Sequence, residues 1–361
     1  MTTEAPVSPA PSHDTLEPKQ HPGRWIMVFL VGIGAIAAAM YYSGAFQHKP
    51  KIAIVTANQG PFWDQIIKGA NDGAAASNST VQIVRSSGDE ESQTNAIKGL
   101  IGQGYDGVGV SPNDPIRQAA TLSELAGECS LITYDADCPI SQRLCFIGTD
   151  NYDAGWMAAQ HVSQAVPDGG EVIICVGSLE KESGHRRRQG VIDELLGRPF
   201  EPARTADPLD APLKGPKYTV VATLVDGINR ERATELATQA LDKYPNAKCF
   251  VGLFASNAPA VLKALEQKNK LGKIQVVGFD FNDETLAGIE SGNVYASIMQ
   301  DPYTIGFETV RILADLARGN RSRLPMFQTW HLSCDPITKA NVGEVRQKLA
   351  GTPKPAATQP I

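Results

Sequence analysis

The sequence predicts an α/β fold of two doubly wound, parallel-sheet lobes, preceded by one transmembrane helix. Three observations lead there. From residue 51 onward, short β-branched runs alternate with longer amphipathic stretches, the pattern of βαβ units with helices on both faces of a sheet. The strand candidates divide five and five around residue 150, so the chain reads as two similar halves. Residues 25–47 carry no formal charge, and 26–42 are almost continuously apolar.

Taken in order, residues 1–24 are rich in Pro, Ser and Thr without hydrophobic periodicity, and disorder is expected there. Residues 25–47 follow as a membrane anchor or signal segment. At about 1.5 Å per residue the stretch spans a hydrocarbon core roughly 30 Å thick. Trp25 and Tyr41-Tyr42 suit its two interfaces. Ser43-Gly44-Ala45 offers small residues for cleavage, but the preceding region is long and weakly basic, so an uncleaved anchor is expected. Strands are predicted at 51–56, 81–85, 107–111, 131–134 and 145–148, then at 171–176, 219–224, 249–254, 274–279 and 294–299. Helices are predicted at 63–77, 92–102, 115–127, 152–165, 185–197, 231–243, 258–268, 283–291 and 303–318. Residues 198–217 contain Pro199, Pro202, Pro208, Pro212 and Pro216 and read as a surface loop. Residues 346–361 read as a disordered tail.

With 361 residues and 42% apolar content, the chain has room for two domains of ordinary size. The net charge of −6 belongs wholly to the body beyond residue 50, which argues against a nucleic-acid partner. The six cysteines show no zinc-like spacing. Cys138 and Cys145 flank a short polar loop and form a candidate disulfide in an oxidising compartment. The histidines are scattered and no metal site or cofactor is expected. Gly102-Gln103-Gly104-Tyr105-Asp106-Gly107 fits a dinucleotide fingerprint literally, but it precedes a strand instead of following one.

In open parallel sheets, ligands bind beyond the carboxyl ends of the strands. There the sequence places Phe62 and Trp63 after the first strand, Asp135 and Asp137 after the fourth, and Asn257 after the eighth. Asp280 and Gln300 follow the ninth and tenth. Carboxylates and amides suit vicinal hydroxyls, and aromatic faces suit the C–H face of a sugar ring. Each residue also has a plainer role, as helix-start core for Phe62 and Trp63 or as a cap for Asp135, Asp280 and Asn257. In Gly184-His185-Arg186-Arg187-Arg188, Arg186 and Arg188 read as a solvated face, with His185 and Arg187 as donors to a ligand. No nucleophile is paired with a base, so the set describes binding without catalysis, and no enzyme is expected.

The segments Ala57-Asn58-Gln59-Gly60-Pro61-Phe62-Trp63, Leu131-Ile132-Thr133-Tyr134-Asp135, Ile147-Gly148-Thr149-Asp150-Asn151, Val276-Val277-Gly278-Phe279-Asp280 and Ala296-Ser297-Ile298-Met299-Gln300 come in a telling order and spacing. Through them, residues 51 to about 345 resemble the periplasmic sugar-binding proteins of ABC transporters, of the ribose- and galactose-binding type. That resemblance implies a type I periplasmic binding fold with a three-crossover hinge, crossing near residues 149–151, 300–302 and 328–330. The N-terminal lobe is then 51–150 plus 301–329, and the C-terminal lobe 151–300 plus 330–345. It implies that Phe62 and Trp63 stack on a monosaccharide or small polyol, and that Asp135, Asn257, Asp280 and Gln300 bond its hydroxyls. Asp137, beside Cys138, belongs to a loop of its own kind. The usual Arg-x-Arg-x-x-Gly pattern ahead of Gly190 has His185 at its first place and Arg187 at its second, so the leading guanidinium is absent. The implied role is a monomeric, periplasmic or cell-surface protein that closes on a sugar and delivers it to a membrane permease. The alternative is a membrane-anchored sugar sensor. Residues 25–47 would hold either at the inner membrane, unless cleavage releases it.

Overall fold

The computed structural model describes residues 1–2, 26–27, 29–35 and 48–351. Residues 26–27 and 29–35 are helical. Most of the expected segments 1–24 and 25–47 lies outside the described residues, and among those described no helix is long and apolar enough to cross a membrane.

From Lys49 the chain forms a unit of its own. Its strands begin with β1 (Lys51–Val55), β2 (Thr80–Val84), β3 (Gly107–Val110), β4 (Ser130–Tyr134) and β5 (Cys145–Thr149). They continue with β6 (Gly170–Val176), β7 (Leu213–Lys214), β8 (Tyr218–Val225), β9 (Ala247–Gly252) and β10 (Gln275–Phe279). The last are β11 (Ala296–Met299), β12 (Thr329–Leu332) and β13 (Asp335–Thr338). One sheet runs β12-β5-β4-β3-β1-β2, wholly parallel; the other runs β13-β11-β10-β9-β6-β8-β7, with only its edge strands β13 and β7 antiparallel. The central order of each, β5-β4-β3-β1-β2 and β11-β10-β9-β6-β8, is the same, so two equivalent doubly wound lobes lie in one chain.

The central strands are buried because alternate side chains feed opposite faces, each covered by packed residues. On β1, Ile52 and Ile54 join one core and Ala53 and Val55 the other. The helices of the first half are α1 (Pro61–Ala76), α2 (Glu90–Lys98), α3 (Pro115–Ala126) and α4 (Asn151–Ala165). Then come α5 (Glu182–Leu196), α6 (Arg230–Lys243), α7 (Asn257–Gln267), α8 (Asp283–Ser291), α9 (Pro302–Ala317) and α10 (Val342–Gly351). The passage from β5 to α4 is fixed by Asp150, whose Oδ1 caps the Tyr152 and Asp153 amides at 3.0 and 3.2 Å. Asp301 caps α9 at the return, accepting from Thr304 N at 3.2 Å.

Several expectations need correction. The third change of sheet falls between β12 and β13, at Ser333-Cys334, because Trp330 and His331 pair with Ile147 and Gly148 in the first sheet. Residues 346–351, expected to belong to the tail, are helical: α10 runs to Gly351, with Val342 and Val345 buried in the second lobe's core and Arg346 paired with Glu290 at 2.7 Å. Residues 352–361 lie outside the described residues. Cys138 and Cys145 are free thiols, as are the other four cysteines. They belong to opposite cores of the first sheet, and Cys138 Sγ donates to Pro115 O at 3.1 Å. Arg188 is not solvated but 2% exposed. It donates to Thr223 Oγ1 at 2.9 Å and to Pro208 O at 2.7 Å, which ties the proline-rich segment down and sets β7 beside β8.

Each lobe also holds one helix pair at backbone contact. A Cβ on Gly69 of α1 would lie 2.0 Å from Tyr303 O, and one on Gly306 of α9 would lie 2.0 Å from Ile66 O. In the other lobe, a Cβ on Gly155 of α4 would meet Arg187 O at 2.0 Å, and one on Gly190 of α5 would meet Tyr152 O at 2.1 Å. Backbone cannot swing aside as a side chain can. Gly306→Ala should therefore destabilise the protein by about 1–3 kcal/mol, the usual cost of overpacking, read as a lower midpoint in chemical denaturation. An unchanged midpoint would mean that the two helices separate freely.

Candidate functional site

β4 and β10 occupy equivalent places in the two sheets, and each ends in an aspartate with left-handed backbone, Asp135 at φ 60° and Asp280 at φ 56°. Aspartate tolerates this region better than most residues, and isolated outliers of this kind gather at functional sites. Each donates its amide to the neighbouring strand, Asp135 N to Ile147 O at 3.0 Å and Asp280 N to Ile298 O at 2.7 Å. The turn sends both carboxylates into one cavity of about 360 Å³, walled by both lobes and at the small end of ligand sites. Phe62, Trp63, Asp135, Lys181, Arg187, Phe254, Asp280 and Gln300 line it. Phe62 and Trp63 stand edge to face with ring centroids 5.2 Å apart, held at the start of α1 after Gly60, whose φ of 113° suits only glycine.

Arg187 forms the floor and is 3% exposed. Nε donates to Asn151 Oδ1 at 2.9 Å, Nη1 to Leu253 O at 3.0 Å and Nη2 to Gln300 Oε1 at 2.9 Å. Its guanidinium carbon lies 3.9 Å from the centroid of the Phe279 ring, a cation–π contact. Gln300 turns its other end to Asp280, with Nε2 at 3.0 and 2.9 Å from the two carboxylate oxygens. Burial pushes the Asp280 carboxyl up to about 6, against the pull of Arg187 and the Gln300 bonds. Burial also raises Asp135, opposed by Arg187, Lys181 and the hydroxyl of Ser111 at 2.9 Å. Lys181 is lowered by burial, Asp135 pulling the other way and Arg187 adding to the drop. Two carboxylates thus face two cations, and the wall is close to neutral overall.

Three residues singled out in the sequence stand elsewhere. Asp137 faces away, gripped by Arg143 at 2.5 and 2.7 Å and by Thr133 Oγ1 at 2.6 Å, beside a second cavity behind the crossings. His185 is half-buried and does not line the cleft. Asn257 is fully buried behind it, accepting from Leu253 N and Phe254 N at 3.1 and 2.9 Å and donating to Asp226 at 2.6 Å. It shapes the turn that presents Phe254 instead of lining the cavity itself. Sequence reasoning missed Lys181 and Phe254. Both lie just beyond strand ends, β6 and β9, so the rule that found the aspartates, carried to every strand, reaches them. No histidine is among the described cleft residues, and no hydroxyl there has an imidazole base.

Comparison with known proteins agrees with this architecture. Residues 52–321 match the family described as periplasmic binding protein domain. Among curated relatives, the D-allose-binding periplasmic protein of Escherichia coli K12 is 24% identical over 299 residues, covering 80% of this chain and 91% of its own length. The ribose import binding protein of Bacillus subtilis 168 is 25% identical over 272 residues, covering 75% of this chain and 82% of its own. Among solved structures, an ABC transporter solute-binding protein from Burkholderia graminis, in complex with D-arabinose, superposes with a TM-score of 0.72 at 26% identity. That alignment covers 81% of this chain and 96% of the other. With the matched region spanning both lobes and the cleft between them, this chain belongs to the periplasmic binding protein domain family.

Proposed function

We propose that this protein is a solute-binding component that closes its lobes around a neutral monosaccharide or related small polyol and delivers it to an ABC-type sugar transporter. One observation carries the reading. Two buried aspartates from equivalent strand ends face Arg187 and Lys181 across a small cavity flanked by Phe62, Trp63 and Phe254. Adjacent hydroxyls donate to the carboxylates and accept from the cations, while the ring face packs on the aromatics. A neutral ligand leaves this buried charge balance intact; a sugar acid adds an unpaired charge. The relatives named for D-allose and ribose, and the structure bound to D-arabinose, support a sugar as that ligand. We place the lobes outside the cytoplasm, with residues 25–47 as the anchor, because that stretch is uncharged and bounded by aromatics.

A thermal-shift panel of D-allose, D-ribose, D-arabinose, polyols and uronic acids tests this. A neutral sugar at a hundredfold excess over its Kd should add about 2.7 kcal/mol of stability, and Asp135→Ala and Asp280→Ala should abolish the shift. Stabilisation by a uronate alone, or by nothing in the panel, would sink the neutral-sugar reading.

Binding should also depend on pH. Without ligand, the Asp280 carboxyl sits at about 6. An acid raised above its unfolded value of roughly 3.9 costs stability as pH rises between the two values, so the empty protein loses stability there through Asp280. Hydroxyls donating to the carboxylate favour its charged form and pull the value back. Sugar binding should therefore release protons and tighten with rising pH. A full return toward roughly 4 makes Kd about tenfold higher at pH 5 than at pH 7. Calorimetry in buffers of different ionisation enthalpy reads the released protons; a Kd flat across this range would mean that no ligand hydroxyl reaches Asp280.

A further inference from the structure

We propose that Lys181 is the residue that sets which sugar the cleft accepts, its ammonium reading adjacent ligand oxygens from the cavity wall. The inference rests on the sugar-binding reading above and adds to it a residue that decides between sugars.

Lys181 enters from the turn before α5 and is 8% exposed, on the cavity wall. An ammonium has three donors. Among the described residues its hydrogen bond goes to Asn113 Oδ1, at 2.8 Å, on the opposite lobe. Asn113 is itself fixed. Its amide donates to Gln93 Oε1 at 2.8 Å, and its Nδ2 donates to Ala57 O at 3.1 Å. Gln93 in turn bonds Thr56 O and Ser111 O at 3.0 and 2.8 Å. The acceptor is therefore rigid, and among the described residues it takes one of the ammonium's three donors at the cavity edge, with Asp135 close enough to act on the charge.

A buried cation with unmet donors is costly, and ligand oxygens that meet them offset that cost. An ammonium differs from a guanidinium in what it recognises. A guanidinium's planar fork demands two coplanar acceptors, whereas an ammonium is a point charge with rotatable donors. Lys181 then discriminates by whether an oxygen is present at its place on the ring. Because its protein acceptor lies on the other lobe, it reads that oxygen only when the cleft is shut.

The test is calorimetric titration of the full chain and of Lys181→Met with D-allose, D-ribose and D-arabinose, followed by the monodeoxy analogues of whichever binds. One deoxy position should cost the wild type about ten- to a hundredfold in Kd, as for a hydrogen bond to a charged group. In Lys181→Met the parent sugar should weaken by a similar factor, and that same deoxy analogue should carry no further penalty. Asn113→Ala retains the ammonium and should keep the deoxy penalty. If Lys181→Met fails to fold by circular dichroism, Lys181→Leu serves, since it also lacks a donor, and should show the same loss of the deoxy penalty. Wild-type affinity with an unchanged deoxy profile in the variant would overturn the proposal and leave Lys181 as a bridge between lobes. A wild type that binds none of the sugars would instead overturn the underlying sugar reading, and this inference with it.

Discussion

The burial of one guanidinium constrains everything around it. Arg187 cannot lose its charge, so a site that buries it must supply acceptors and counter-charge from every side. Asn151 and Gln300 supply two acceptors from residues beside chain crossings, Leu253 O a third from the end of β9, and Phe279 a ring face. The lobe junction and the ligand floor are thus one hydrogen-bonded object. Asp280 reaches Arg187 through Gln300, and a change in any member is felt by the others.

The second organising fact is equivalence between the halves. The two sheets share a strand order, and the equivalent strands β4 and β10 each end in a left-handed aspartate bonded to the next strand. The cations break the symmetry: Arg187 and Lys181 come from the second lobe alone. One lobe therefore brings a carboxylate with Phe62 and Trp63, and the other a carboxylate with Phe254 and the cations Arg187 and Lys181. Facing each other, they attract across a medium of low dielectric.

The ten principal strands were legible because a buried parallel strand needs a run of apolar, β-branched residues, and the alternation with helical periods is hard to mistake. The short edge strands β7, β12 and β13 were not, since each takes its structure from a neighbour already in place. Asp135, Asp280 and Gln300 were legible as cavity residues because position relative to a strand end is a property of sequence, and Arg187 because it falls on a different side of its helix from its basic neighbours. Asn257 met the same rule but caps its own turn from behind, and Asp137 was captured by Arg143, a partner that becomes adjacent only in the folded loop. Cys138 and Cys145 are close in sequence yet serve opposite faces of a sheet, a separation spacing cannot reveal. Arg188 looked solvated because its acceptors, Thr223 on β8 and Pro208 in the proline-rich segment, become adjacent to it only in the fold.

The glycine contacts between α1 and α9, and between α4 and α5, also bear on mechanics. Helices that touch at the backbone leave no side-chain layer to shear, so each lobe behaves as a stiff body. Compliance is then concentrated in the few residues that join the lobes. Force exerted by a small molecule at the cleft is not absorbed by deformation of the lobes; it acts through a long lever arm on a short joint. A small adjustment beside Arg187 would then be expressed as rotation of one lobe against the other, not as strain within either.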